Sequence, residues 1–447
     1  MRTEQAEPAP APAPSPPDPL AGRRVLVLIS GSIAAVKLPL VVSALAARGA
    51  AVRCALTPSA ARLVSPVALA SLCRHPCALD DDQWSHRAAR PLHIELAEWA
   101  ELVLMAPLSA TTLGRWVHGL ADGLVASTLL ACEAPVVVAP AMNTAMWEAE
   151  PVRRNWQALQ AFERVVPVAP GRGLLACDRR GEGRMAEPER LLLALESLAL
   201  HGWRRDWDGR RLLVSTGPTR EFLDPARCLT NPSTGRMGVL LAQAALQRGA
   251  AVDLVHGPLS VDPVLLDGLQ CHPVVSAAEM ERQLSRLQPE ADAIAMAAAI
   301  ADHRRVEARH DKLPKDDLQQ ALSDGWEPVP DLLAGLVARR PAGQRILGFA
   351  AQSGDVLPQA RAKFARKGCD LIFANPIDLP AAGFGSAFNQ GWLLGPGERI
   401  EAIAPAPKLA VAHRLLDALA GLPLRQPATA LPHRPAEGGT RPAAADP

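Results

Sequence analysis

Val25-Leu26-Val27-Leu28-Ile29-Ser30-Gly31-Ser32 is a five-residue apolar run that ends in a small, glycine-containing turn. A helical pattern follows over 33–47 and is closed by Gly49, and a second apolar run lies at 52–56. Runs this short with no polar alternation suit strands covered on both faces, as in a parallel sheet. Moving outward, the unit recurs. Apolar runs at 102–106, 136–139 and 165–168 alternate with helical segments near 109–120 and 188–200. After the polar stretch 201–210 a second series begins. Its runs lie at 212–214, 252–255, 293–296, 345–349 and 371–374, with a helix over 236–247 ended by Gly249. Alternation of strands and helices predicts an α/β fold with helices on both sheet faces. Two series predict two consecutive doubly wound, Rossmann-like domains with mainly parallel sheets.

The domain reading is a tail at 1–21, a first domain at 22–204, a second at 205–424 and a tail at 425–447. Both tails are rich in proline and alanine, and are expected to be extended and disordered. The 447 residues carry 47 Lys plus Arg against 46 Asp plus Glu. That balance argues against nucleic acid or an anionic membrane as partner, so any anion must be met by particular loops. No uncharged stretch reaches the length of a spanning helix, and the N-terminus lacks the apolar core of a secretion signal. A cytoplasmic protein is expected. The eight cysteines include no C-x-x-C pair and read as reduced thiols. Cys73-Arg74-His75-Pro76-Cys77 lacks the further ligands that zinc needs, and no metal site is assigned.

Ser30, Gly31, Ser32 and Ile33 stand between a strand and a helix start, where backbone N–H groups favour a phosphate. Taken alone, such a turn is equally an unliganded α/β connection. The same holds for a lone histidine such as His93, a lone cysteine such as Cys177 and the proline turn before Asn143. Each separately reads as surface, core or turn. Their joint order is what carries information.

Together, S-G-S-I-A-A at 30–35, P-L-H-I-E-L-A-E-W-A at 91–100, P-A-M-N-T-A-M-W at 140–147 and A-C-D-R-R-G-E-G-R-M at 176–185 resemble the flavin-dependent phosphopantothenoylcysteine decarboxylase half of the bifunctional coenzyme A biosynthesis proteins. The resemblance implies an FMN site at Ser30, Gly31, Ser32, Ile33, Thr57 and Ser109. It implies His93 as base or proton shuttle, Asn143 as holder of the substrate carboxylate and Cys177 as proton donor. An N-acylcysteine carboxylate has no electron sink for the carbanion left by CO2. Oxidising its CH2–SH to a thioaldehyde supplies one, which is the chemistry flavin brings. Val36, Leu108, Thr111 and Asp178 depart from the family pattern.

In the second series, G-P-T-R-E at 217–221 and T-N-P-S-T-G-R-M-G at 230–238 resemble the partner activity, a CTP-dependent phosphopantothenate–cysteine ligase. So do A-A-A-I-A-D at 297–302, D-K-L-P-K at 311–315 and P-D-L-L at 330–333. The ligase makes an acyl-cytidylate, and cysteine then displaces CMP. The resemblance implies Asn231 as the group polarising the acyl carbonyl and Lys312 as the cation at the α-phosphate. Nucleotide contacts would be Ala297, Ala298, Asp302, Lys312, Pro330, Asp331, Leu332, Leu333, Phe349, Lys363 and Lys367. Mg2+ would ride on the triphosphate. Gln352 and Gly385 are the departures expected to weaken this half, and Cys228, Pro232 and Thr234 also differ. The resemblance further implies trimers of the first domain and dimers of the second. The substrates would be 4'-phosphopantothenate, cysteine, CTP and phosphopantothenoylcysteine. Two other readings remain beside it: a non-catalytic flavin-binding regulatory protein, and a flavin decarboxylase of peptidyl cysteine.

Overall fold

The computed structural model describes residues 16–85, 90–174, 180–307, 309–379 and 382–423. Strands β1 (Arg24–Ile29), β2 (Ala51–Leu56), β3 (Leu102–Leu108), β4 (Val136–Pro140) and β5 (Val165–Pro167) form a parallel sheet in the order β2-β1-β3-β4-β5. Val25, Val27 and Ile29 point into one core and Leu26 and Leu28 into the other, so the run is apolar throughout because both faces are covered. Chain order reverses between β1 and β3, and the crevice outside their carboxyl ends is where such sheets take ligands.

An antiparallel pair, β6 (Gly171–Leu174) and β7 (Arg180–Arg184), follows, and then the helix Pro188–His201. The second sheet has eight strands. β8 (Arg211–Thr216), β11 (Ala251–His256), β12 (Gln270–Pro273), β13 (Ala293–Met296), β16 (Arg345–Gln352) and β17 (Leu371–Pro376) are parallel. β18 (Phe388–Leu394) and β19 (Ile400–Pro407) add an antiparallel edge, giving the order β12-β11-β8-β13-β16-β17-β18-β19. Two small hairpins rise from its loops: β9 (Arg220–Asp224) with β10 (Arg227–Thr230), and β14 (His303–Arg305) with β15 (Trp326–Pro328). Leu212 and Val214 face one core and Leu213 the other, repeating the logic of the first sheet.

Two expectations need adjustment. The helical pattern over 33–47 divides into a 3-10 turn, Ile33–Lys37, and an α-helix, Leu38–Ala47. Pro39 sets the division, because proline lacks the N–H a helix interior needs but fits a first turn. The expected tail also ends earlier than residue 21. Leu20 is fully buried in the first core, and Asp18 pairs with Arg48 at 2.7 Å. The described cysteines are free thiols, as expected, and three of them gather. A hydrogen bond with the Cys54 thiol pulls the Cys73 thiol down to about 6, and Cys77 adjoins them.

The two halves share a helix. Leu191, Ala194, Leu195 and Leu198 of Pro188–His201 belong to the first core, while Leu193 packs with buried Trp207 in the second. At the helix end, Ser197 Oγ meets His413 Nε2 at 2.8 Å, on the helix Lys408–Ala420.

Candidate active sites

At the carboxyl ends of β1 and β3, Ser30 ties two loops together. Its hydroxyl donates to the Pro107 carbonyl at 2.6 Å and accepts from the Ser109 N–H at 2.8 Å. Ser109 in turn caps the helix Ala110–Val117, accepting from Thr112 N–H, and Thr57 caps Pro58–Ala61 in the same way. These three hydroxyls therefore shape the crevice. Gly31 is required by closeness, since a Cβ there would sit 2.5 Å from Ser59 Cβ. Beside this turn lies a cleft of 440 Å³ bordered by Ser32, Ile33, Val36, Met142 and Asn143, with Met185 behind. Val36, a departure from the family pattern, is part of its exposed apolar wall.

Asn143 is the N-cap of Thr144–Glu148, and its Oδ1 accepts from Ala145 N–H at 2.8 Å. Capping restrains the amide plane. The β6–β7 pair clasps this loop. Thr144 Oγ1 donates to Glu182 O at 2.7 Å, and Met142 N–H donates to Gly183 O at 2.9 Å. Gly181 and Gly183 leave no room: a Cβ on Gly181 would lie 2.3 Å from Thr144 Oγ1. Cys177 and Asp178 lie outside the described residues, between the two strands. His93 sits in the first turn of Leu92–Trp99 and lines a different cleft, of 920 Å³, with Asp80, Trp84 and Asp122. Among the described residues of one chain, His93 and Asn143 line separate cavities.

The second site lies over the carboxyl ends of β8, β13 and β16. Two cavities, of 320 and 310 Å³, meet there and share Ala298, Ile300, Phe349 and Lys363. Glycines let three loops converge. A Cβ on Gly257 would lie 1.7 Å from Pro218 O, and one on Gly238 would lie 2.4 Å from Thr216 Oγ1. One cavity is lined by Asp302, Pro330, Asp331, Leu332, Leu333 and Lys367 as well as Lys363 and Phe349. Asp331 caps Leu332–Ala338 and pairs with Lys367. Burial opposes ionisation of Asp331, but the Lys367 ammonium and the capping N–H outweigh it and hold the carboxyl below its usual range. Burial, and then the Lys367 charge, push the Lys363 ammonium below the usual lysine range; its Nζ donates to Phe349 O at 3.1 Å.

Ala297 and Asn231 line the other cavity. Asn231 does not stand as expected. A group that polarises a carbonyl must donate, yet Nδ2 of Asn231 donates to Ala299 O and Ile300 O, both at 3.2 Å. Its role here is to tie two loops, and Oδ1 is the end left for the cavity. Lys312 is also elsewhere. It is exposed on a loop anchored by Leu313, whose N–H donates to Asp224 Oδ2 at 3.1 Å, and it lines neither cavity. Of the departures, Gly385 has φ +81, a left-handed backbone that favours glycine. Gln352 ends β16 and accepts through its backbone from Ile377 N–H at 2.9 Å, and its side chain lines neither cavity.

Sequence reasoning missed Arg236, Asn375, Asn389 and Lys408, which also line the first of these cavities. One signal existed. Lys408 is a cation at the first position of an apolar helix, where the helix dipole disfavours it.

Residues 14–199 match the family model described as Flavoprotein, and residues 207–422 match the one described as DNA/pantothenate metabolism flavoprotein C-terminal domain. The chain is 37% identical over 371 residues to the coenzyme A biosynthesis bifunctional protein CoaBC of Bacillus subtilis (strain 168), covering 83% of this chain and 90% of that one. It is 36% identical over 373 residues to the protein of the same name from Escherichia coli (strain K12), with the same coverage of 83% and 90%. To the Mycobacterium bovis protein of that name it is 37% identical over 422 residues, covering 89% and 96%.

Proposed function

Because the chain belongs to the family of coenzyme A biosynthesis bifunctional proteins, we propose that it joins 4'-phosphopantothenate to cysteine with CTP and then decarboxylates the product to 4'-phosphopantetheine with FMN. The observation that carries this reading is likeness to such proteins across 90% of their length, spanning both halves.

In the second cleft the carboxylate of phosphopantothenate attacks the α-phosphorus of CTP. Lys363 and Lys367 offer positive charge beside the nucleotide, and Asp331 keeps Lys367 in place. The amine of cysteine then attacks the acyl-cytidylate, and CMP leaves. With its N–H groups committed to Ala299 and Ile300, Asn231 can accept a hydrogen bond from that amine through Oδ1 and aim its lone pair. Lys312 would have to be brought in by movement of its loop or by a second subunit. Mg2+ would be held chiefly by triphosphate oxygens and needs no protein cage.

The crevice at the end of β1 fits FMN. The Gly31 turn approaches Ser59 closely, and the neighbouring cleft offers apolar walls to a planar ring. Ser30, Gly31, Ser32, Ile33, Thr57 and Ser109 would hold the cofactor, which supplies reversible two-electron oxidation at the carbon bearing sulfur. The protein's own part is positioning and proton transfer. Asn143, its plane fixed by capping, presents an amide to the substrate carboxylate. A neutral amide suits a group that becomes neutral CO2, whereas a cation would stabilise the starting carboxylate more. His93 lies on another cleft, so a site that uses both residues needs two copies of the chain, which supports a homo-oligomer of the first half. Among the described residues no helix is long and apolar enough to cross a membrane, and we place the reaction in the cytoplasm.

One reconstituted reaction tests the whole. Phosphopantothenate, cysteine and CTP should yield pyrophosphate, CO2 and phosphopantetheine. Cys177→Ser should still release CO2 but fail at the last proton transfer, so that the decarboxylated enethiol accumulates in place of phosphopantetheine. Absence of both CTP-dependent pyrophosphate release and CO2 from supplied phosphopantothenoylcysteine would return the protein to a flavin-binding regulator.

A further inference from the structure

We propose that Lys408 and Arg236 hold the terminal phosphates of the nucleoside triphosphate in the second cleft and receive the pyrophosphate as it leaves. The proposal rests on the ligase reading of that cleft and adds two residues to it.

Lys408 is a buried cation without a counter-ion among the described residues. Only 4% of it is exposed, and among the described residues its Nζ has one hydrogen bond, to Gly383 O at 3.2 Å, and no ion pair. An ammonium removed from water needs compensation by an anion or a full set of acceptors. One carbonyl is neither. Its place makes matters worse, because it is the first residue of the helix Lys408–Ala420, at the positive end of the dipole. Arg236 stands at the start of Arg236–Gln247, and its Nε is buried with no partner among the described residues. Burial and the Arg236 charge together push the Lys408 ammonium down to about 8. Two helix starts thus bring to one cavity two cations that have no ion pair among the described residues.

Two further lining amides have donors that bond poorly among the described residues. Asn389, 3% exposed, directs Nδ2 at Met237 Sδ at 3.8 Å, and Asn375, 9% exposed, reaches only Pro376 O at 3.4 Å. Such a concentration of positive charge and N–H groups suits a polyphosphate. The cavity opens through Phe349 and Lys363 into the one lined by Asp331 and Lys367. A nucleotide seated there would extend its phosphates toward Lys408, past the Asn231 loop where the acyl group must arrive. In the activation step a carboxylate oxygen bonds to the α-phosphorus, and the bond from that phosphorus to the bridging oxygen breaks. Pyrophosphate takes the electron pair, and no oxidant or reductant is involved. Charge on that leaving group is what Lys408 and Arg236 would meet.

The probe is inorganic pyrophosphate, titrated calorimetrically into the full chain. Wild type should bind it, and Lys408→Met should bind it at least ten-fold more weakly. CMP affinity and the rate of phosphopantothenoylcysteine decarboxylation should not change. In steady state the variant's KM for CTP should rise at least ten-fold with KM for phosphopantothenate unmoved. Equal pyrophosphate affinity in the two proteins overturns the proposal. A rise confined to KM for phosphopantothenate also overturns it, assigning the cations to the phosphate of the acyl substrate. Should the variant fold poorly, acetic anhydride labelling of wild-type protein decides. Pyrophosphate should cut acetylation of Lys408 several-fold while leaving exposed Lys315 untouched, and unchanged labelling of Lys408 sinks the idea. Protection of Lys408 without any CTP-dependent product would keep the anion site and discard the ligase reading.

Discussion

Gly183 lies so close to Met142 that a Cβ on the glycine would stand 2.4 Å from the methionine carbonyl oxygen, and its φ of +125 disfavours any other residue. The glycines of Arg180-Gly181-Glu182-Gly183-Arg184 thus serve contact with the Asn143 loop and not merely suppleness. Gly183→Ala should push β7 off that loop and lower the rate of phosphopantothenoylcysteine decarboxylation at least ten-fold. Ligase activity on the same polypeptide should stay within two-fold of wild type. Equal loss of both activities would show general misfolding instead.

Lys363 gives the ligase a pH limb. Its ammonium is held below the ordinary lysine range by burial and by Lys367, so it loses its charge earlier on an alkaline titration than an exposed lysine. A cation that aids CTP helps below its pKa and stops helping above it. KM for CTP should therefore rise with pH before exposed lysines titrate. Lys363→Arg should abolish that limb while keeping affinity near wild type at neutral pH. Lys363→Met should raise KM about ten-fold at neutral pH, the usual order for a lost charge-assisted contact, with the gap to wild type closing on the alkaline side as Lys363 loses its charge. KM profiles of the three proteins check this.

Leu20 tests how far the folded chain reaches. Its side chain is fully buried in the first core, beside the Asp18–Arg48 pair. Leu20→Ala should destabilise the first half by about 2–5 kcal/mol, the range for deleting a buried leucine side chain. Asp18→Asn should cost under about 1 kcal/mol, because that pair is partly exposed. Denaturant unfolding of both variants separates a core residue from a tail residue.

Much of this architecture was legible because parallel strands are covered on both faces, which leaves uninterrupted apolar runs such as 25–29 and 293–296. The hairpins β9–β10 and β14–β15 escaped notice, since two-stranded ribbons outside the sheet carry no long apolar period. β18 escaped for another reason. Phe388–Leu394 is interrupted by Asn389, Gln390 and Gly391, and its register shifts between Asn389 and Gly391. At the sites, motifs located loops but not the direction of hydrogen bonds. Asn143 and Asn231 look alike as letters, yet one accepts through Oδ1 as a helix cap and the other donates through Nδ2 to two carbonyls. Nor does sequence say that His93 faces a different cleft from Asn143, which depends on how the helix Leu92–Trp99 lies against the sheet.

His413 makes the contact between the halves sensitive to acid. Burial, the stacked His201 ring at 5.2 Å and the Arg248 guanidinium push its pKa down to about 3, against a weaker opposing pull from Asp206. His201 is lowered as well, by burial and Arg248, with Asp206 and Asp417 opposing. Above about pH 6.5 folded and unfolded His413 are both neutral, and the group contributes nothing to the pH dependence. Below that the unfolded chain takes up a proton that the folded chain refuses until about pH 3. Stability should therefore fall with pH across this window, by about 1.4 kcal/mol per unit for the one histidine. His413→Gln can keep a hydrogen bond to Ser197 Oγ, which stands 2.8 Å from Nε2, but cannot take the proton. Denaturant unfolding of the second half at a series of pH values from 7 to 4 should show a shallower slope for His413→Gln than for wild type. Parallel slopes would mean that His413 is already protonated in the folded protein, and that the Ser197–His413 contact is not a neutral one.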